Sequence, residues 1–156
     1  MTLEAITTFI FFEDDAGADQ GRYQNSNTAD TITFDSSPYA FLPFIYNGAT
    51  KSLTGDNIES TLTFANNKLS IAKAYEALEN FWSVRVDTVL MHPSTFLPNR
   101  TLTTEYWIPS SISYNVEGVQ LALSTAIDAV TSSIPNKVLR SSDVGALPVS
   151  SRISNV

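Results

Sequence analysis

The sequence predicts a mainly β chain: an antiparallel β-sandwich or barrel over residues 1–125, flanked by one α-helix and followed by an extended C-terminal arm over residues 126–156. Three observations carry this. Apolar and polar residues alternate in several short runs, clearest in Ile58–Phe64, Trp82–Met91 and Val119–Thr125, which is the pattern of a strand with one buried face. A single stretch, Leu69 to Leu78, spaces its apolar residues as a helix does. From Ala126 onward neither period continues, yet apolar residues persist along the chain.

Taken in order, Phe9–Phe12 is a continuous apolar run closed by Glu13, Asp14, Asp15, Gly17, Asp19 and Gly21, which reads as a buried strand and a polar turn. Tyr23 opens a second short strand, and Thr31–Phe34 alternates like a third. Tyr39–Tyr46 is aromatic and apolar throughout but carries Pro43 and follows Pro38. Proline cannot donate to a ladder, so this stretch is expected as an edge strand, a bulged strand or an exposed apolar loop. Asn47-Gly48 is the strongest local turn signal. Ile58, Leu62 and Phe64 are expected inward and Glu59, Thr61 and Thr63 outward.

The helix follows, with Asn66 or Asn67 as N-cap, Leu69, Ala72, Tyr75 and Leu78 as its apolar stripe, and Asn80 as its stop. Next comes a long strand with Trp82, Val84, Val86 and Leu90 on one face and Ser83, Arg85 and Asp87 on the other. A loop over His92–Asn99 ends it. Thr101–Ile108 and Val116–Thr125 supply two more strands around Pro109 and the Asn115–Gly118 turn. The expected core is Phe9, Phe11, Ile58, Leu62, Trp82, Val84, Val86, Leu121 and Leu123.

The arm carries Ile134, Val138, Leu139, Val144, Leu147, Val149 and Ile153 between Pro135, Gly145 and Pro148. A merely solvated tail has no need of such residues. Fully extended, its 31 residues reach on the order of 100 Å at roughly 3.3–3.6 Å each, so docking on a neighbouring subunit is expected, through Ile134, Val138, Leu139, Val144 and Leu147. The aromatic stretch offers a second interface, at Phe41, Phe44 and Tyr46.

Composition narrows the function. The chain is 43% hydrophobic with 9 Phe, 6 Tyr and 2 Trp, enough for a sizeable core. Only 16% of residues are charged, against roughly 25% in ordinary domains, as befits a surface with partners. Sixteen acidic against nine basic residues give a net −7, which opposes a grip on a phosphate backbone but not a wall that DNA slides past. With no cysteine there is no disulfide framework and no thiolate metal site. The apolar run Thr8–Phe12 is too short for a signal h-region, and no run reaches membrane-spanning length, so membrane insertion is not expected.

Candidate chemistry is sparse. His92 is the one histidine; it would need Asp87 or Glu105 beside it to serve as a general base, and a structural loop histidine is the preferred reading. The acidic turn fits no calcium-loop spacing, and no acid–base pair, phosphate-cradling loop or nucleophile motif occurs. No enzymatic activity, metal or cofactor is expected. Tyr39, Phe41, Phe44 and Tyr46 could stack sugars as a carbohydrate-binding module does, but residues of both parities cannot share one platform.

The order of these segments is similar to the hub domain of long-tailed phages, the minor tail protein L family. The early strand at Phe9–Glu13, the aromatic Tyr39–Phe44, the alternating Ser60–Asn66 before a helix, the strand Leu78–Leu90, the closing hairpin Tyr106–Ser124 and the Ile134–Leu139 proline–basic–apolar sequence carry the resemblance. Longer family members continue into a cysteine-bearing iron–sulfur domain; this chain has no cysteine, and no cofactor is carried over. The resemblance implies a tail-tube-like fold in a virion protein made in the host cytoplasm. It would assemble as a ring, trimer or hexamer, joining the distal tail tube to a spike or receptor-binding assembly, with DNA passing through its lumen. Glu59 and Asp87, on polar strand faces, are the expected lumen-facing acids. A carbohydrate-binding β-sandwich and a tail tube or tail-completion protein are the alternatives.

Overall fold

The computed structural model describes residues 4–27, 29–50, 59–92, 94–116 and 118–125. Six strands, β1 (Ala5–Glu13), β2 (Asp19–Gln24), β3 (Thr31–Phe34), β4 (Ser37–Phe41), β5 (Phe44–Thr50) and β6 (Glu59–Ala65), precede the helix α1 (Lys68–Glu79). Three follow it: β7 (Ser83–Met91), β8 (Pro98–Tyr114) and β9 (Gly118–Ser124). Ile58 and all of 126–156, with Ile134, Val138, Leu139, Val144 and Leu147, lie outside the described residues.

The strands form one open order, β3-β4-β2-β1-β7-β8-β9-β6-β5, antiparallel except for a short β2/β4 contact. The fold is therefore mainly β and sandwich-like, without barrel closure. Its corner is β8. Residues 98–107 pair with β7, residues 108–114 pair with β9, and the ladder slips between Pro109 and Ser111. A proline at a bulge removes a donor where the ladder is already interrupted, so Pro109 turns a strand from one sheet to the other instead of ending it.

Between the two sheets lies the larger core, with Ile10, Phe12, Val84, Val86 and Trp107 from one side and Leu62, Phe64, Val119, Leu121 and Leu123 from the other. Leu62, Trp82, Val84, Val86, Leu121 and Leu123 are buried as expected. Gly118 lies where β9 meets β6, and a Cβ there would run into the Phe64 carbonyl oxygen.

A second core was not foreseen. β1 is buried on both faces: Phe9 turns away from Ile10 and Phe12 and packs with Ile32, Phe34, Tyr39, Val89 and Met91 on the back of the first sheet. Phe9 stacks on Phe34 at 4.5 Å between centroids and meets Tyr39 edge-on at 5.1 Å. The β3–β4 hairpin provides this cover, joined by Asp35 and Ser36, both at positive φ, as a two-residue loop matched to strand twist requires. Phe11 is only half-buried at its margin. On β7 the buried set accordingly includes Asp87, Val89 and Met91, while Leu90, expected inward, is half-buried.

Two other expectations change. The helix is capped as expected, Asn67 accepting from the Ser70 N–H at 2.9 Å and Asn80 closing the C-terminus. Its buried stripe, however, is Ser70, Ala74 and Ala77, with Leu69 and Tyr75 exposed. Small residues four and three apart let the helix axis approach the sheet closely, which large side chains would prevent. Asn47-Gly48 makes no hairpin turn; it lies inside β5, where the ladder to β6 slips between Asn47 and Thr50.

Candidate functional site

Among the described residues, three surfaces bring polar or exposed apolar side chains together as candidate sites. The first is a groove of about 500 Å³ where the chain crosses from β4 to β5, lined by Asn25, Asn27, Phe41, Pro43, Phe44, Ile45, Thr63, Phe64 and Ala65. Of the expected interface residues, Phe41 stands on this surface, 36% exposed. Phe44 belongs instead to the larger core, and Tyr46 is half-buried against it. Ile45, unnoticed in the sequence, is 63% exposed; alternation along β5 puts it on the face opposite its two aromatic neighbours, a parity that was legible once Phe44 was assigned inward. Tyr39 and Phe44 are both buried, so the four aromatics make no common sugar-stacking face.

The Tyr46 hydroxyl donates to Glu105 Oε2 at 2.5 Å, tying β5 to β8 across the mouth of the sandwich. Burial, reinforced by that bond, pushes its pKa well above the ordinary phenol value.

A second surface is a polar cleft of about 380 Å³ behind the first sheet, lined by Phe34, Asp35, Arg85, Asp87, Thr101, Thr104 and Tyr106. Asp87, expected on an exposed lumen face, is 2% exposed. It accepts from Arg85 Nε at 2.7 Å and from the Thr104 hydroxyl at 2.6 Å, and Arg85 Nη2 reaches Asp35 Oδ2 at 3.2 Å. Burial alone would lower the Arg85 pKa, but the bonds to Asp87 and Asp35 outweigh it and raise it. The arrangement clamps the β3–β4 turn onto β7, each charge already satisfied by another. Alternation does put Arg85 and Asp87 on one strand face; what the sequence hid is the hairpin that covers that face. Glu59 sits exposed at the start of β6, opposite Ser124.

The third surface is an edge. Residues 98–107 of β8 pair with β7 alone among the described residues, and they are exposed almost throughout, Leu102 at 43% and Tyr106 at 67%.

The remaining candidates resolve into turns. His92 is exposed, and its Nδ1 accepts from the Ser94 N–H at 3.4 Å while its backbone closes the β7–β8 loop with Phe96 and Leu97. Asp87 and Glu105 are engaged elsewhere, as above. Asp14 accepts from the N–H groups of Ala16 and Ala18 and from Gln20; the Ala18 bond first, with the others helping, lowers its pKa. Among the described residues no three His, Asp or Glu side chains come together as metal ligands, and no helix is long and apolar enough to cross a membrane. No protein-family profile matches the chain, and no curated protein resembles it significantly in sequence.

Proposed function

We propose that the chain is a structural ring protein of a phage tail, a hub or baseplate component that joins the distal tail tube to the spike or receptor-binding assembly. Three or six copies close the ring, DNA passes through its lumen without being gripped, and the role is mechanical, with neither catalysis nor cofactor. The observation that carries this is the free edge of β8. Over residues 98–107 it leaves one side of the strand unpaired among the described residues and displays Leu102 and Tyr106, a template for strand pairing that monomeric proteins usually blunt. An open strand order with unlike ends suits head-to-tail contacts, which close into rings when the rotation permits. The low charged fraction and the net −7 suit packed subunits around an acidic passage, and the resemblance of segment order to tail hubs supplies the identity of the assembly. Glu59 is the remaining lumen-facing candidate.

Light scattering and negative-stain microscopy of the full chain test this. Rings of three or six copies, weakened by Leu102→Lys or Tyr106→Glu without loss of folded structure, are expected. A monomer at high micromolar concentration would sink the reading; one that is stabilised by glycans would favour the carbohydrate-binding module, and long stacked tubes would favour a tube protein.

A further inference from the structure

We propose that the Phe41–Ile45 groove is the receptor for residues 134–149 of a second copy of this chain, which enter it as a strand added to β5. This rests on the ring reading and names the contact that the arm makes within it.

The groove is built for an extended apolar segment. Phe41 and Ile45 stand exposed above walls formed by Phe44 and Phe64, and Asn25 and Asn27 supply amide groups at the rim. Phe44 and Ile45 bring the start of β5 to the groove, and β5 pairs only with β6 among the described residues. The Ala65 N–H to Pro43 carbonyl bond, 3.2 Å, sets the phase of that ladder. Hydrogen-bonded pairs alternate in an antiparallel ladder, so Ile45 and Asn47 spend their backbone groups on β6, while those of Phe44 and Tyr46 point outward along the free edge. Strand addition uses such an edge for affinity and side-chain pockets for specificity.

Residues 134–149 match this chemistry. They hold Ile134, Val138, Leu139, Val144, Leu147 and Val149 among small polar residues. Charge agrees: of nine basic residues, three (Lys137, Arg140, Arg152) lie in 126–156, and of sixteen acidic residues two (Asp128, Asp143) do, so this segment carries +1 and residues 1–125 carry −8. Two bodies each at −8 repel; a cationic segment crossing from one to the other offsets that repulsion.

Direction favours the second copy, whose groove can be reached without the chain reversing on itself. β9 begins beside Ala65, at the groove, and ends at Ser124 opposite Glu59, about 20 Å farther along at roughly 3.3 Å per residue. The chain thus leaves the sheet heading away from its own groove. The nine residue-to-residue steps from Thr125 to Ile134 reach up to about 30 Å, enough to cross to an adjoining subunit.

The absence of cysteine makes the test clean. One full-length batch carries Ile45→Cys, a second carries Leu139→Cys and a third Val138→Cys, since neighbours on a strand face opposite sides; the first is mixed with each of the others and treated with a short bismaleimide. We expect a covalent heterodimer in at least one mixture, and Phe41→Ser or Ile45→Ser, both at exposed positions, to weaken self-association at least about tenfold. Cross-linking confined to single chains of an Ile45→Cys/Leu139→Cys double variant overturns the proposal, placing the segment in its own groove. Assembled rings without any groove cross-link overturn it while leaving the ring reading intact, whereas monomers throughout, without cross-links, sink both.

Discussion

Strands β7 and the first half of β8 are hydrogen-bonded neighbours with opposite fates. β7 is buried on both faces, with Val84 and Val86 in the inter-sheet core and Asp87, Val89 and Met91 under the β3–β4 hairpin. Residues 98–106 of β8, one rung away, are exposed on both faces except for the half-buried Glu105. Alternation in sequence thus identifies a strand, but burial depends on what is laid across it. Here the hairpin reaches β1 and β7 and stops short of β8, and the second sheet, after the bend at Pro109, covers only Trp107 onward. Among the described residues, the strand left uncovered keeps one backbone edge and two large side chains available for another molecule.

The sharpest way to break this contrast is at the buried charge on β7. Arg85→Met strips Asp87 of its cation in a site only 2% exposed, and breaking one side of a buried pair costs about 3–5 kcal/mol. Urea denaturation at neutral pH measures it; a cost under about 1 kcal/mol, in the range of exposed pairs, would show that the cleft is wet and β7 is not covered there.

Core truncations sharpen the same comparison. Met91→Ala on β7 should cost about 2–5 kcal/mol, while Leu102→Ala on β8 should stay within about 0.5 kcal/mol, as exposed substitutions do. Equal costs in the monomer would mean that β8 has a cover of its own, and the free-edge argument would go with it.

The smallest effect concerns the tie that the exposed half of β8 makes to β5. Tyr46→Phe removes the bond to Glu105 and should cost about 0.5–1.5 kcal/mol. Because the folded-state pKa of Tyr46 is raised, its contribution is complete below the unfolded phenol value, about 10, and is lost as pH climbs through the folded value. The variant should therefore lose less stability than the parent between neutral and strongly alkaline pH. A residual slope is expected, since Tyr23, Tyr39 and Tyr114 are shifted upward too; identical alkaline slopes in parent and variant would show that the phenol is neither buried nor held by Glu105.

The sequence by itself determined the β class, the single helix with its Asn67 and Asn80 ends, and the inward faces of β6, β9 and the first half of β7. Those follow from local periods and caps, which neighbouring residues fix among themselves. Tertiary structure alone decided the second core, the helix's small-residue stripe, the passage of β8 through Pro109 and the absorption of Asn47-Gly48 into β5. Each depends on a partner far away in sequence: Phe9 reads as core or surface according to whether Phe34 and Tyr39 fold over it, and Tyr75 is exposed because the sheet accepts Ala74 and Ala77 instead. The candidate surfaces divide in the same way. Phe41 was legible as an apolar residue near two prolines that break a strand, but Ile45, Leu102 and Tyr106 became candidates only when the covering elements were seen to pass them by, because exposure is set by what packs above a residue and not by the residue itself.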